Sequence, residues 1–168
     1  RMTTVIMESG GFVNKFEGDA IMAFWGAPLA CEDQAALAMR AALLCQEKLL
    51  ELNDEFAAAG LPRLGMRIGI NSGEVIVGNI GSQKRFEYTV IGDAVNLASR
   101  LEGINKQYGT AIICGSLAGR MATGRMVLRR LDRVRVKGKQ KPEEICEVLA
   151  ERAAAGMGER LENFEKGL

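Results

Sequence analysis

Asp19 follows Gly18 at the break between two short runs, Phe12 to Glu17 and Ala20 to Trp25, and Lys15 stands four residues before it. A carboxylate at the tip of a rigid hairpin can hold a hard cation while an ammonium on the hairpin arm reads part of a ligand. Aspartate also favours turns for its backbone preferences alone, and an isolated Gly-Asp needs no other explanation. Asn96 and Arg100 are four residues apart, hence on one face of any helix that carries them, although most such pairs are simply solvated. Lys137-Gly138-Lys139-Gln140-Lys141-Pro142 is a basic turn of the kind that ordinarily serves solubility. The glycines at 69, 73, 78 and 81 invite a phosphate-loop reading, but no Gly-Lys-Ser/Thr follows them, and turns or close strand packing explain them better. The chain has no histidine, so no imidazole can act as a base.

The elements that must position these groups are legible in part. Met2 to Glu8 reads as the last two turns of an amphipathic helix, stopped by Ser9-Gly10-Gly11. In the first limb of the hairpin Phe12, Asn14 and Phe16 alternate with Val13, Lys15 and Glu17. The second limb, Ala20 to Trp25, is almost wholly apolar, the pattern of a strand buried on both faces. Glu32 to Ala59 has the spacing of an amphipathic helix with Ala36, Met39, Leu43 and Leu50 on one face. Met66 to Ile70 and Glu74 to Gly78 predict a second hairpin across Asn71-Ser72-Gly73, with Arg67 on its first strand. A strand from Arg85 to Ile91 hands over at Gly92-Asp93 to a helix from Ala94 to about Tyr108, which Asp93 is suited to cap. A buried strand at Ala111 to Cys114, a short helix at Ser116 to Ala122, a long strand at Met126 to Val136 and a last strand at Glu144 to Leu149 complete the pattern. This order predicts an α+β domain, an antiparallel-rich sheet with helices on one face.

At 168 residues and 48% hydrophobic content the chain can bury one sizeable core. Lys and Arg number 22 against 21 Asp and Glu, a net charge of +1, so no global field recruits nucleic acid or an anionic membrane, and an anionic ligand must be met locally. Cys31, Cys45, Cys114 and Cys146 are too scattered for a zinc site or a disulfide framework, which suits a reducing, cytoplasmic setting. No apolar run approaches the ~20 residues of a membrane helix, so any membrane anchor is expected outside this chain. Residues 151–168 change character and read as a hinge and the start of a further helix, separate from a domain over residues 1–150.

Two stretches taken together carry a family resemblance. Lys15-Phe16-Glu17-Gly18-Asp19-Ala20-Ile21-Met22-Ala23-Phe24-Trp25-Gly26-Ala27-Pro28 and Phe86-Glu87-Tyr88-Thr89-Val90-Ile91-Gly92-Asp93-Ala94-Val95-Asn96-Leu97-Ala98-Ser99-Arg100 resemble the catalytic domain of class III nucleotidyl cyclases, the adenylate and guanylate cyclases, over about Met2 to Leu149. Two long motifs in the right order are far more specific than one short pattern. The resemblance implies a ferredoxin-like βαββαβ core and a site that uses two divalent ions, Mg²⁺ or Mn²⁺, with Asp19 as one of two bridging carboxylates. In the family the other carboxylate stands on a strand ahead of the first helix. No such segment lies within this sequence, so the 168-residue chain is expected to be nearly inactive alone, and an upstream strand and a sensor or regulatory domain are expected in the parent protein.

The same resemblance assigns Asn96 to positioning the ribose, Arg100 to negative charge on the α-phosphate, Lys137 to the triphosphate and, more weakly, Arg67 to a phosphate. Lys15 can only donate and suits adenine N1, while Thr89 can accept from the exocyclic amine. In the family, Lys with Asp or Thr marks adenylate cyclases, whereas Glu and Cys mark guanylate cyclases. ATP is therefore the expected substrate. The family splits its site between subunits, which implies a homodimer with two sites. An alternative keeps the fold without the chemistry, as a cyclase-like module that dimerises or binds nucleotide for regulation. The absence of a Gly-Gly-Asp/Glu-Glu-Phe turn sets aside the diguanylate cyclases.

Overall fold

The computed structural model describes residues 1–82, 85–135 and 142–152. In chain order the elements are α1 (Met2–Glu8), β1 (Phe12–Glu17), β2 (Ala20–Phe24), α2 (Gln34–Ala58), β3 (Ile68–Ile70), β4 (Ile76–Ser82), β5 (Arg85–Ile91), α3 (Asp93–Tyr108), β6 (Ile112–Gly115), α4 (Ser116–Met121), β7 (Met126–Val134) and β8 (Glu143–Glu151). The expected hinge and helix of the tail and the Lys137 turn lie outside the described residues. No helix among the described residues is long and apolar enough to cross a membrane.

The main sheet runs β3-β6-β8-β7, with β3 parallel to β6 and the other neighbours antiparallel. Two hairpins, β1-β2 and β4-β5, accompany it. The fold is α+β and antiparallel-rich, but its helices cover both faces of the main sheet, not one. Along β6, Ile112 and Cys114 join the core made with α2 and α4, while Ile113 joins Leu97 and Leu101 of α3 and Ile145 of β8. Side chains alternate along a strand, so β6 can feed two cores only because a helix layer lies on each side.

The hairpin expected from Met66 to Gly78 does not form. β3 pairs in parallel with β6, and β4 pairs with β5 in continuous register from Ile76↔Ile91 to Ser82↔Arg85. A three-residue β3 offers few ladder bonds, whereas β5 gives β4 a partner along its whole length. Both expected strands form only in part, as Ile68–Ile70 and Ile76–Ser82, and neither pairs with the other.

On α2 the buried stripe follows Ala35, Met39, Ala42, Cys45, Leu49 and Asn53, and Leu50, expected on the core face, is exposed. The last turns of α2 rest on an irregular segment instead of on the sheet. Asn53 Nδ2 donates to the Leu64 carbonyl at 2.9 Å and its Oδ1 accepts from the Leu64 amide at 2.7 Å, while Gln46 Nε2 donates to the Met66 carbonyl at 2.9 Å. These bonds rotate the buried face away from Leu50. β2 also departs from expectation, since its residues are half-buried or exposed. Among the described residues its only strand partner is β1, and one face meets the cluster of Val5, Ile6 and Cys45 through Ile21 and Ala23.

Candidate active site

The turn that presents Asp19 is a two-residue loop, with Glu17 paired to Ala20. Gly18 takes φ 63° while Asp19 keeps a negative φ, the sign pattern of a type II′ hairpin turn with glycine first. Asp19 is exposed at the tip. A glycine is needed there because a side chain in the left-handed region would be strained.

A β-bulge shapes the arm behind it. Val13 pairs with Ala23 and Lys15 with Met22, which leaves Asn14 as the extra residue on β1. Bulges bend a strand and re-aim side chains. Asn14 turns toward β5: its Nδ2 donates to the Tyr88 carbonyl at 2.7 Å, and its Oδ1 accepts from the Thr89 hydroxyl at 2.9 Å. Phe12 stacks on Phe24, and Tyr88 meets both rings, edge-on against Phe12 at 5.3 Å. The two hairpins are thereby locked together. The bulge also ends the strict alternation that would place Phe16 beside Phe12 and Asn14: Phe16 pairs with Ile21 and is 63% exposed.

This joint bonds Thr89 to Asn14, the residue next to Lys15 on β1. Lys15 Nζ lies 2.8 Å from Glu17 Oε1, both side chains being well exposed. That hydrogen bond and the Glu17 charge raise the Lys15 pKa against a small opposing effect of burial, and Glu87, two residues before Thr89 on β5, adds a weaker attraction. Lys15 is thus a fully charged donor whose partner is screened by solvent and readily exchanged.

β5 leads directly into α3. Gly92, in extended conformation, occupies the N-cap position expected for Asp93, and Asp93 falls in the first turn, where its charge complements the helix dipole. Burial of Leu97 and Leu101 against β6 and β8 fixes the rotation of α3. Each such side chain contributes about 1.5–3 kcal/mol when fully buried. The buried Asn105 adds a polar anchor, with Nδ2 donating to the Ile68 carbonyl at 3.0 Å and Oδ1 accepting from Thr110 at 2.8 Å. Asn96 and Arg100 therefore share a defined face one position round from the buried row, Asn96 exposed and Arg100 half-buried.

Most described arginines with a carboxylate partner are engaged at the surface; Arg67, for example, sits just ahead of β3 rather than on it, with Nε 3.0 Å from Glu102 Oε1. Arg100 differs. Among the described residues it is the one arginine that is half-buried with no side-chain hydrogen bond or ion pair. No hydrogen bond or ion pair among the described residues joins Asp19 to Asn96 or Arg100. Lys137 lies outside the described residues.

The donor set suits one kind of metal binding. No group of three or more His, Cys, Asp or Glu side chains that could hold an ion occurs among the described residues. An exposed carboxylate at a rigid turn fits Mg²⁺, which keeps water and is often held by one or two carboxylates together with substrate phosphates. Asn14 was not singled out from sequence as a functional residue. Its signal was an amide in an otherwise aromatic row, Phe12, Asn14, Phe16.

Residues 2–147 match the adenylate and guanylate cyclase catalytic domain. The chain is 42% identical over 156 residues to an adenylate cyclase of Anabaena cylindrica, covering 89% of this chain and 30% of that protein's length. Among solved structures it resembles the adenylyl cyclase CyaB from P. aeruginosa, with a TM-score of 0.81 and 30% identity over 92% of this chain and 80% of that one. It is also similar to the guanylyl cyclase Cya2, with a TM-score of 0.80 and 37% identity over 92% of this chain and 78% of that one. On these grounds the chain belongs to the class III adenylate and guanylate cyclase catalytic domain family.

Proposed function

We propose that this domain converts ATP to 3′,5′-cyclic AMP and pyrophosphate at sites shared between the two subunits of a homodimer. The observation that carries the reading is the half-buried guanidinium of Arg100, without a partner among the described residues, on the helix that begins where β5 ends. Along the chain, Thr89, Asn96 and Arg100 follow one another in the order of base, sugar and α-phosphate.

Lys15 donates to adenine N1, and Thr89 accepts from the exocyclic amine. Asn96 holds the ribose so that its 3′-oxygen faces the α-phosphate, and such orientation supplies much of the rate. Arg100 meets the charge that grows on the α-phosphoryl oxygens as the 3′-oxygen attacks and pyrophosphate leaves. Lys137 holds the triphosphate. Arg67, engaged by Glu102, is a weaker phosphate contact. Asp19 of one subunit faces the Lys15, Thr89, Asn96 and Arg100 of the other. Mg²⁺ or Mn²⁺, held by Asp19 and the phosphates, would supply the Lewis acidity that lowers the pKa of the 3′-hydroxyl and offsets charge on the leaving group.

The competing base is guanine, since one similar structure is a guanylyl cyclase. Lys15 and Thr89 favour adenine over it. The test is product analysis with the full-length protein. Cyclic AMP and pyrophosphate should appear in equal amounts from ATP in the presence of Mg²⁺ or Mn²⁺, with slow or no turnover by the 168-residue chain alone. Nucleotide binding by the full-length protein without any cyclic product would favour the non-catalytic regulatory module instead.

A further inference from the structure

The bonds made by Asn14 fix more than the joint between hairpins. A carbonyl oxygen can only accept, so the atom of the Asn14 amide that lies 2.7 Å from the Tyr88 carbonyl must be the nitrogen. The other amide atom is then Oδ1, which also can only accept. The Thr89 hydroxyl, 2.9 Å from that oxygen, must therefore donate its proton to it. The sense of both bonds follows from this chemistry alone.

A threonine hydroxyl has one proton and two lone pairs. With the proton committed to Asn14, the Thr89 oxygen offers any further partner lone pairs only. Adenine presents an N–H donor at its exocyclic position, whereas guanine presents a carbonyl oxygen there, and two acceptors facing each other repel. Free of Asn14, the same hydroxyl could rotate and donate to guanine.

We propose that Asn14 is a positioning residue for base selection: it holds the Thr89 hydroxyl as a pure acceptor and so turns a residue able to serve either base into one that favours adenine. This rests on the reading of Lys15 and Thr89 as the base-reading pair. The bulge at Asn14 belongs to the device, because the extra residue is what lets an amide of β1 reach Tyr88 and Thr89 of β5 while Lys15 keeps its register with Met22.

The experiment measures the ATP/GTP ratio of kcat/KM in the full-length protein, backed by competition binding of non-cyclisable ATP and GTP analogues, for Asn14→Ala, Asn14→Asp, Thr89→Val and the Asn14→Ala, Thr89→Val pair. Asn14→Ala should lower the ratio by about tenfold, the scale on which a lost polar match changes selectivity. Asn14→Asp still accepts from Thr89, so it should keep the ratio within about threefold while lowering the melting temperature, since a carboxylate oxygen then faces the Tyr88 carbonyl. Asn14→Ala should have no further effect in a chain that already carries Thr89→Val. If Asn14→Ala does not fold, Asn14→Ser, too short to span to Thr89, takes its place in the same comparison. If Thr89→Val moves the ratio and Asn14→Ala does not, Asn14 is only a structural link and the proposal fails while the base reading stands. An Asn14→Ala effect of equal size with and without the Thr89→Val substitution overturns it too, because Asn14 would then act by another route. If Thr89→Val itself leaves the ratio unchanged, the base reading falls and takes the proposal with it.

Discussion

Gly69 of β3 lies so close beneath α3 that a Cβ there would collide with the carbonyl oxygen of Ala98 and the amide of Glu102. The contact is with helix backbone, which cannot rotate aside as a side chain can. Gly69→Ala should therefore push α3 away from β3 and loosen the Asn105 bond to the Ile68 carbonyl at the same time. Overpacking of this kind costs about 1–3 kcal/mol. Calorimetry should show a lower melting temperature, and activity should fall further than stability because α3 carries Asn96 and Arg100. Unchanged melting and unchanged kcat would show that α3 does not depend on this approach.

How the sequence relates to the fold is plain from a few residues. The turn at Gly18-Asp19, the helix that sets Asn96 and Arg100 on one face, and the handover from β5 to α3 were legible because each rests on local chemistry: a glycine at a turn, a helical spacing, a strand followed by Gly-Asp. The partner of β4 was not legible, since a strand's own alternation says nothing of which distant strand completes it. Nor was the bulge at Asn14, because only pairing with β2 reveals that one residue is extra. The exposure of Leu50 depended on where the Leu64 to Met66 segment crosses α2, again a tertiary matter. Lys15 and Thr89 were visible as residue types; the bond by which the Thr89 hydroxyl donates to Asn14 was not.

Burial pushes the Cys114 thiol up to about 12 from an ordinary value of 9.0, and Cys146, directly opposite on β8, adds to the rise. The unfolded chain releases this proton near the ordinary value while the folded chain holds it to about 12, so the unfolded state binds fewer protons across that interval. Stability from the buried neutral thiol is fully present below that interval and is lost as pH rises through it, by about 1.4 kcal/mol per pH unit for one group. Denaturant titrations at several pH values above neutrality should show a steeper decline for the native protein than for Cys114→Ala, whose baseline is lower. Parallel declines would exclude this thiol as the source.

If Lys15 and Thr89 read the base, exchanging their donor and acceptor roles should exchange preference. Lys15→Glu removes a donor and supplies an acceptor at the base edge, and Thr89→Cys replaces a hydroxyl bound to Asn14 by a weaker, longer sulfur. A mispaired buried polar group costs about 1–3 kcal/mol, so the ATP/GTP ratio of kcat/KM in the full-length protein should fall at least roughly tenfold. Lys15 is exposed and among the described residues is ion-paired to Glu17 alone, so Lys15→Glu by itself should change the melting temperature little, and any larger fall in the pair reports the lost Thr89 bond to Asn14. A ratio that stays put while the protein remains folded would remove Lys15 and Thr89 from base selection.

The proposed sharing of each site between subunits makes the sharpest demand. Asp19→Ala acts at an exposed turn whose conformation depends on Gly18, so the variant should fold normally and lose about a hundredfold or more in kcat, the scale of deleting one preorganised charge interaction in a transition state. Arg100→Ala should lose a similar amount, with a modest effect on stability because its guanidinium has no partner among the described residues to leave behind. If Asp19 and Arg100 of one site come from different subunits, each mutant homodimer has two damaged sites. A heterodimer of the two variants instead concentrates both losses in one site and leaves the other whole. Mixing the inactive proteins under conditions where subunits exchange should then restore activity, up to about a quarter of the native rate from statistical pairing. Exchange can be followed independently by energy transfer between labelled subunits. Demonstrated exchange with no recovery would place Asp19 and Arg100 in the same subunit's site, and the interfacial arrangement would have to be abandoned for this protein.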